Sequence, residues 1–218
     1  ISHLDAKLRH RMRGELKSIC AEKEATVMHV THDYREAMAL SDRVAVIKDG
    51  RILQVDHPDV VFHKPNSEFV ATFVGDPPMS FLDVEYVREG GRSMFALTGT
   101  SYSVPASREA ATRLEEITGE TIRLGVRAAS LSVKSSKDRS HTVPGRVYVT
   151  ETLGFRNVLL VEVGSARVRV FTEPERHFSE GDTVWLNIDD SNTHVFVDGV
   201  ATSHPRSVAA VPAATGEA

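Results

Sequence analysis

The sequence predicts an α+β chain in which a partial α/β segment, residues 1–75, precedes an all-β domain, residues 76–200, and a disordered tail, residues 201–218. Three observations carry that division. Apolar residues recur at helical spacing near the start and then give way to short apolar runs. Gly75-Asp76-Pro77-Pro78 punctuates the chain in the manner of an interdomain joint. The charges divide there too: residues 1–75 hold 11 basic and 11 acidic side chains, and residues 76–218 hold 15 and 19. The whole net charge of −4 therefore belongs to the second part.

In the first part, Leu4, Leu8, Met12, Leu16, Ile19 and Cys20 follow one another mostly at steps of three and four, which places them on one face of a helix. Thr26 to Val30 reads as a short buried strand and Thr31-His32-Asp33 as a polar break directly after it. Tyr34 to Leu40 has helical character, and Arg43 to Lys48 is a strand. Asp49-Gly50 signals a two-residue hairpin, because a type I′ turn needs positive φ at both positions; Arg51 to Val55 is the return strand. Pro58 suits the first turn of a short helix through Phe62. Asn66 or Ser67 caps another through Phe73.

The second part is a succession of short strands: Phe81 to Val87, Ser93 to Leu97, Thr121 to Val126, Gly145 to Thr152, Val158 to Val163, Arg167 to Phe171, Thr183 to Ile188 and His194 to Val197. Gly-containing turns separate many of them, and only Arg108 to Ile117 reads as a helix. That spacing indicates a small β-barrel or a sandwich. From Ala201 onward Ala, Ser, Pro, Thr and Gly leave little to bury, so disorder is expected.

Composition excludes several classes. Hydrophobic residues at 41% and charged residues at 26% are those of an ordinary globular protein. The acidic balance and the single Trp argue against a nucleic-acid partner. No run approaches the roughly 18 apolar residues that cross a bilayer. Cys20 is the only cysteine, which excludes an internal disulfide framework and a cysteine-based zinc site. It reads as a core residue of the first helix, and His29 as a packed residue of the strand.

The segment Ser2-His3-Leu4-Asp5-Ala6, followed one helix and one strand later by Thr31-His32-Asp33, resembles the D-loop and the His-switch of ABC-type ATPases. Glu36 to Ile47 is similar to the family's continuation after the switch, and Asp49-Gly50-Arg51-Ile52-Leu53-Gln54 to its hairpin. Pro65 to Gly75 resembles the end of the nucleotide-binding domain in sugar- and polyol-importing members. Leu124-Gly125-Val126-Arg127, Glu151-Thr152-Leu153-Gly154 and His194-Val195-Phe196 resemble their C-terminal TOBE domain, an OB-like barrel. The resemblance spans about residues 1–200. It implies a partial RecA-like P-loop NTPase fold followed by the OB-like domain.

Phosphoryl transfer needs a phosphate cradle, a metal, a positioned water and compensation of charge on the γ-phosphate. The sequence has no Gly-x4-Gly-Lys-Ser/Thr loop, no Leu-Ser-Gly-Gly-Gln-type signature and no apolar strand ending in Asp-Glu. The family carries its Asp-Glu-Pro immediately before the D-loop. The chain is thus expected to be the back half of a transporter ATPase, starting just downstream of the catalytic glutamate. By the resemblance His32 contacts the γ-phosphate; the alternative is a histidine that only serves the following helix or a loop carbonyl. Ser2, Leu4 and Asp5 face the partner subunit, and Ser2 and Asp5 also suit N-caps. Thr31 and Asp33 flank the switch, Asp33 serving equally well as a cap, and Tyr34 stands where relatives usually carry Gln. Arg127 matches a TOBE motif whose following Pro-Glu is here Ala128-Ala129. The Glu151 to Gly154 turn reads as structural rather than binding.

The expected function is therefore the C-terminal portion of the ATP-binding subunit of an importer for sugars or polyols. ATP and Mg²⁺ are expected for the complete subunit and neither for this chain alone, which is not expected to hydrolyse ATP. Implied partners are a second ATPase subunit in a homodimer and two transmembrane permeases, with a separate chain for the front half left open. Implied localisation is cytoplasmic, on the inner face of the membrane. The alternatives are a regulatory or ligand-binding TOBE module and a truncated remnant. Apolar faces left uncovered by the missing sheet predict dimerisation through the TOBE domain.

Overall fold

The segment Thr31-His32-Asp33 leads directly into the first complete helix, α1 (Tyr34–Leu40). The computed structural model describes residues 14–16, 18–19, 22–23, 25–114, 121–136, 142–188 and 193–202. They divide into two compact units, one ending at Pro65 and the other beginning at Asn66. Strands dominate.

In the first unit, Gly14 to Leu16, Ser18, Ile19 and Glu22 are helical, within the span the apolar spacing predicts. Cys20 lies outside the described residues. Residues 25–30 do not form the expected strand; they run as irregular, exposed chain, with Met28 at 92% and Val30 at 85% exposure. An apolar run becomes a strand only when its backbone N–H and C=O groups meet a neighbouring strand, and none pairs with it among the described residues. His29 is correspondingly an exposed residue and not a packed one.

Strands β1 (Val44–Lys48) and β2 (Arg51–Asp56) form the antiparallel hairpin that the Asp-Gly pair predicts. Asp49 at φ 49° and Gly50 at φ 71° supply the two left-handed residues of the turn. A bulge between Val46 and Ile47 shifts the register, so Val46 faces Gln54 while Ile47 faces Ile52. Val44 and Val46 point inward. Buried Gln54 is held by Nε2 donating to Asp56 Oδ2 at 3.1 Å and to the Lys64 carbonyl at 3.0 Å. Helix α2 (Pro58–His63) starts on Pro58 and buries Val61 completely.

The second unit opens with α3 (Glu68–Phe73), for which Ser67 is the cap: its Oγ accepts from Val70 N at 3.4 Å. After it come β3 (Ser80–Glu89), β4 (Arg92–Leu97), β5 (Ser103–Pro105), α4 (Arg108–Leu114), β6 (Ile122–Val126), a 3₁₀ turn (Ala128–Ser130) and β7 (Leu131–Lys134). Then follow β8 (Thr142–Thr152), β9 (Asn157–Val163), β10 (Ala166–Thr172), β11 (Thr183–Ile188), β12 (Thr193–Val197) and β13 (Val200–Ala201). Short β5, β7 and β13 have no counterpart in the sequence expectation. Each lies at the edge of a sheet, where a few residues suffice to pair but are too short to show a period.

Two antiparallel sheets result. One runs β13-β12-β6-β3-β4-β5, the other β10-β9-β8-β11-β7. The five-stranded sheet curls until its outer strands, β10 and β7, approach one another. A bulge between Val147 and Val149 in β8 adds to that curvature. Residues alternating inward along the strands of both sheets, among them Leu82, Phe95, Leu124, Val161, Val170 and Leu186, make one core. Gly145 in β8 is required by it. A Cβ there would collide with Val161 Cγ1 and lie 2.9 Å from the Glu162 carbonyl oxygen.

The chain stays ordered into the beginning of the expected tail. Ala201 is buried in β13, donates its N–H to the Asn66 carbonyl at 2.9 Å, and is followed by Thr202 N donating to Val195 O at 2.8 Å. Glu68 N donates to Gly199 O at 2.9 Å. The start of α3 is thereby laced to the last strand of the domain.

Candidate functional site

The polar break before α1 is built by local hydrogen bonds that the residue types dictate. Asp33 is the N-cap of the helix: its Oδ1 accepts from Arg35 N at 2.9 Å, and its carbonyl accepts from Glu36 N at 3.0 Å and Ala37 N at 3.2 Å. Glu36 stands three positions after the cap, where a capping-box carboxylate ordinarily reaches back to the N-cap N–H. Here a hydroxyl is interposed. Asp33 N donates to Thr31 Oγ1 at 3.1 Å, and Thr31 Oγ1 donates to Glu36 Oε2 at 2.9 Å.

Glu36 is a buried acidic residue, 5% exposed. His29 Nε2 lies 3.7 Å from the same Oε2. At that depth Oε2 accepts the Thr31 hydroxyl, and the first turn of a helix favours negative charge.

His32 lies in the middle of this turn. Its neighbours on both sides are pinned while its own ring is exposed, with no hydrogen bond or ion pair among the described residues. Thr31, His32 and Asp33 share this turn as neighbours in the chain, and Asp33 caps the helix. Ser2, Leu4 and Asp5 lie outside the described residues. In the sequence Glu36 stands out only as part of the stretch Glu36 to Ile47. The signal for its role was the Asp-x-x-Glu spacing of a capping box.

The TOBE-motif residues occupy other places. Arg127 is buried, and its Nη1 donates to the Val74 carbonyl at 2.9 Å, fastening the end of α3 to the turn after β6. Gly75, at φ +143°, makes room for it: a Cβ there would lie 2.5 Å from that Nη1. Glu151 is exposed at the end of β8, paired with Val158 of β9. Gly154, at φ +84°, turns the hairpin that closes with Leu153 N donating to Arg156 O at 2.9 Å.

Among the described residues no group of three or more His, Cys, Asp and Glu side chains could hold a metal ion. No helix of the described residues is long and apolar enough to cross a membrane.

Comparison with known proteins gives the site its context. The family model described as TOBE domain matches residues 120–196, which run from the start of β6 through most of β12. The chain is 34% identical over 192 residues to the uncharacterized ABC transporter ATP-binding protein YurJ of Bacillus subtilis, covering 86% of this chain and 52% of that protein. It is 32% identical to the xylose/arabinose import ATP-binding protein XacK of Haloferax volcanii, covering 90% of this chain and 50% of that one. It is 34% identical to the trehalose/maltose import ATP-binding protein MalK of Thermococcus litoralis, with shares of 90% and 53%. The chain spans about half the length of the curated relatives it matches. Similarity on this scale, joined to the TOBE match, makes the chain similar to the C-terminal region of ABC transporter ATP-binding subunits.

Proposed function

We propose that the chain serves as the C-terminal portion of the ATP-binding subunit of an ABC importer for sugars or polyols. In this reading it contributes the D-loop (Ser2, Leu4, Asp5) and the switch histidine (His32) to ATP-driven transport. The observation that carries the reading is His32, an exposed imidazole on a turn hydrogen-bonded on both sides, within a sequence similar to sugar-import ATP-binding proteins. Such a group can donate a hydrogen bond to a γ-phosphate and lose it when the phosphate leaves.

The described residues supply this one element of the reaction. No step through the metal is assigned to them. ATP and Mg²⁺ would be held by a segment or chain bearing the phosphate loop and the acidic strand end. A second copy of the ATPase subunit and two permeases would be the partners, at the inner face of the membrane. Arg127, Glu151 and Gly154 would belong to the framework of an OB-like TOBE domain.

The test is ATP binding and turnover by this chain alone, and then mixed with a chain carrying the phosphate loop, signature and acidic strand of the same subunit type. Turnover only in the mixture, abolished by His32→Ala, is the expected outcome. No binding or turnover in either case would overturn it in favour of a regulatory TOBE module. Turnover by this chain alone would place the phosphate cradle elsewhere.

A further inference from the structure

We propose that Glu36 is the positioning residue of the switch, acting on His32 through the hydroxyl of Thr31; the proposal rests on reading His32 as the group that meets phosphate. The Thr31 hydroxyl is engaged twice. Its proton goes to Glu36 Oε2 at 2.9 Å and its lone pair takes the Asp33 N–H at 3.1 Å. A hydroxyl rotates freely until its proton is claimed, and a carboxylate claims it more strongly than water or a neutral acceptor does. Fixing the proton fixes the lone pair that receives Asp33 N–H, and this bond closes the backbone around His32. Asp33 completes the clamp from the other side through Arg35, Glu36 and Ala37.

The burial of Glu36 gives the arrangement its direction. The carboxylate is fixed within the unit, whereas the imidazole two bonds of the relay away is exposed. Order therefore passes from Glu36 outward to His32. The exposed ring keeps its own nitrogens for an external acceptor, because the orienting contacts named here are made by the backbone and by the Thr31 and Asp33 side chains. His29 Nε2, 3.7 Å from the same oxygen, lies at the edge of this cluster.

The test uses the full chain in solution and needs no nucleotide. Exchange of the Asp33 amide with water is followed by NMR together with the line shape of the His32 ring resonances. Glu36→Ala and Thr31→Val are each expected to raise Asp33 amide exchange about tenfold and to broaden the ring signals, while Glu36→Gln and Thr31→Ser stay within about threefold of the parent. Thr31→Val supplies the result if Glu36→Ala fails to fold. Unchanged Asp33 exchange in Thr31→Val, or equal effects of Glu36→Ala and Glu36→Gln, would overturn the relay. In the reconstituted mixture Glu36→Ala is expected to lower kcat about tenfold with KM for ATP nearly unchanged, and Glu36→Gln to restore most of it. An intact relay by NMR alongside turnover indifferent to His32→Ala would remove the switch reading and leave the positioning geometry standing. Turnover lost with His32→Ala but untouched by Glu36→Ala would do the opposite.

Discussion

Arg123 Nη1 on β6 meets Glu68 Oε2 on α3 at 2.6 Å, while the same guanidinium's Nε donates to Asp83 Oδ1 on β3 at 2.9 Å. Its plane also lies over Phe81, 4.8 Å from the ring centroid. One side chain therefore ties a helix to two neighbouring strands. With the Arg127–Val74 bond and the lacing of Glu68 and Asn66 to the last strand, it makes α3 part of the β unit.

Arg123→Ala is expected to destabilise the unit by about 1–2 kcal/mol. The groups are partly exposed, which keeps the figure below that of a buried pair. The measurement is the denaturant midpoint followed by circular dichroism. Arg123→Lys should recover less than half, because a point charge cannot bridge both carboxylates in the guanidinium geometry.

Arg127→Ala leaves the Val74 carbonyl buried without this donor and should cost about 1–3 kcal/mol. Gly75→Ala should act on the same bond from the other end, by driving a methyl into the guanidinium and straining a positive-φ residue. The double variant is expected to be less destabilised than the sum of the two. Thermal unfolding of all three reads the coupling.

Gly145→Ala puts a methyl against Val161 and the Glu162 carbonyl in the middle of the curled sheet. Backbone cannot yield as a side-chain tip does, so a loss of about 1–3 kcal/mol or more is expected, with the largest rise in amide exchange along β8 and β9. Gly154→Ala, at an open turn, should cost only about 1 kcal/mol from its positive φ.

Gly50→Val is expected to weaken the β1–β2 hairpin by about 1–2 kcal/mol, since φ 71° is strained for a β-branched residue. The effect should stay in the first unit. Amide exchange at Val44 to Asp56 is the measurement, with β8 and β9 unchanged.

His32→Ala should leave stability within about 0.5 kcal/mol of the parent, because the ring is exposed and makes no hydrogen bond among the described residues. Turnover in the reconstituted mixture is where its loss should be felt. A large fall in stability would mean that the imidazole supports the turn.

What could be read from the sequence is local. The Asp49-Gly50 turn, Pro58 at a helix start and the short strands between Phe81 and Val197 each depend on a few adjacent residues and occur where the pattern puts them, while the structure chose Ser67 over Asn66 as one cap and made Asp33 another. The motifs around His32 and Arg127 likewise carried the resemblance in their order and spacing. Tertiary structure decided whatever needs a distant partner. Thr26 to Val30 has the composition of a strand but none pairs with it among the described residues, and it stays irregular. Short β5, β7 and β13 become strands only because a sheet edge is waiting for them. Glu36 acquires its role from Thr31, five residues back, and Arg123 acquires its own from Glu68, 55 positions away. Backbone preference is set by neighbours in the chain, whereas burial, ion pairing and sheet formation are set by neighbours in space.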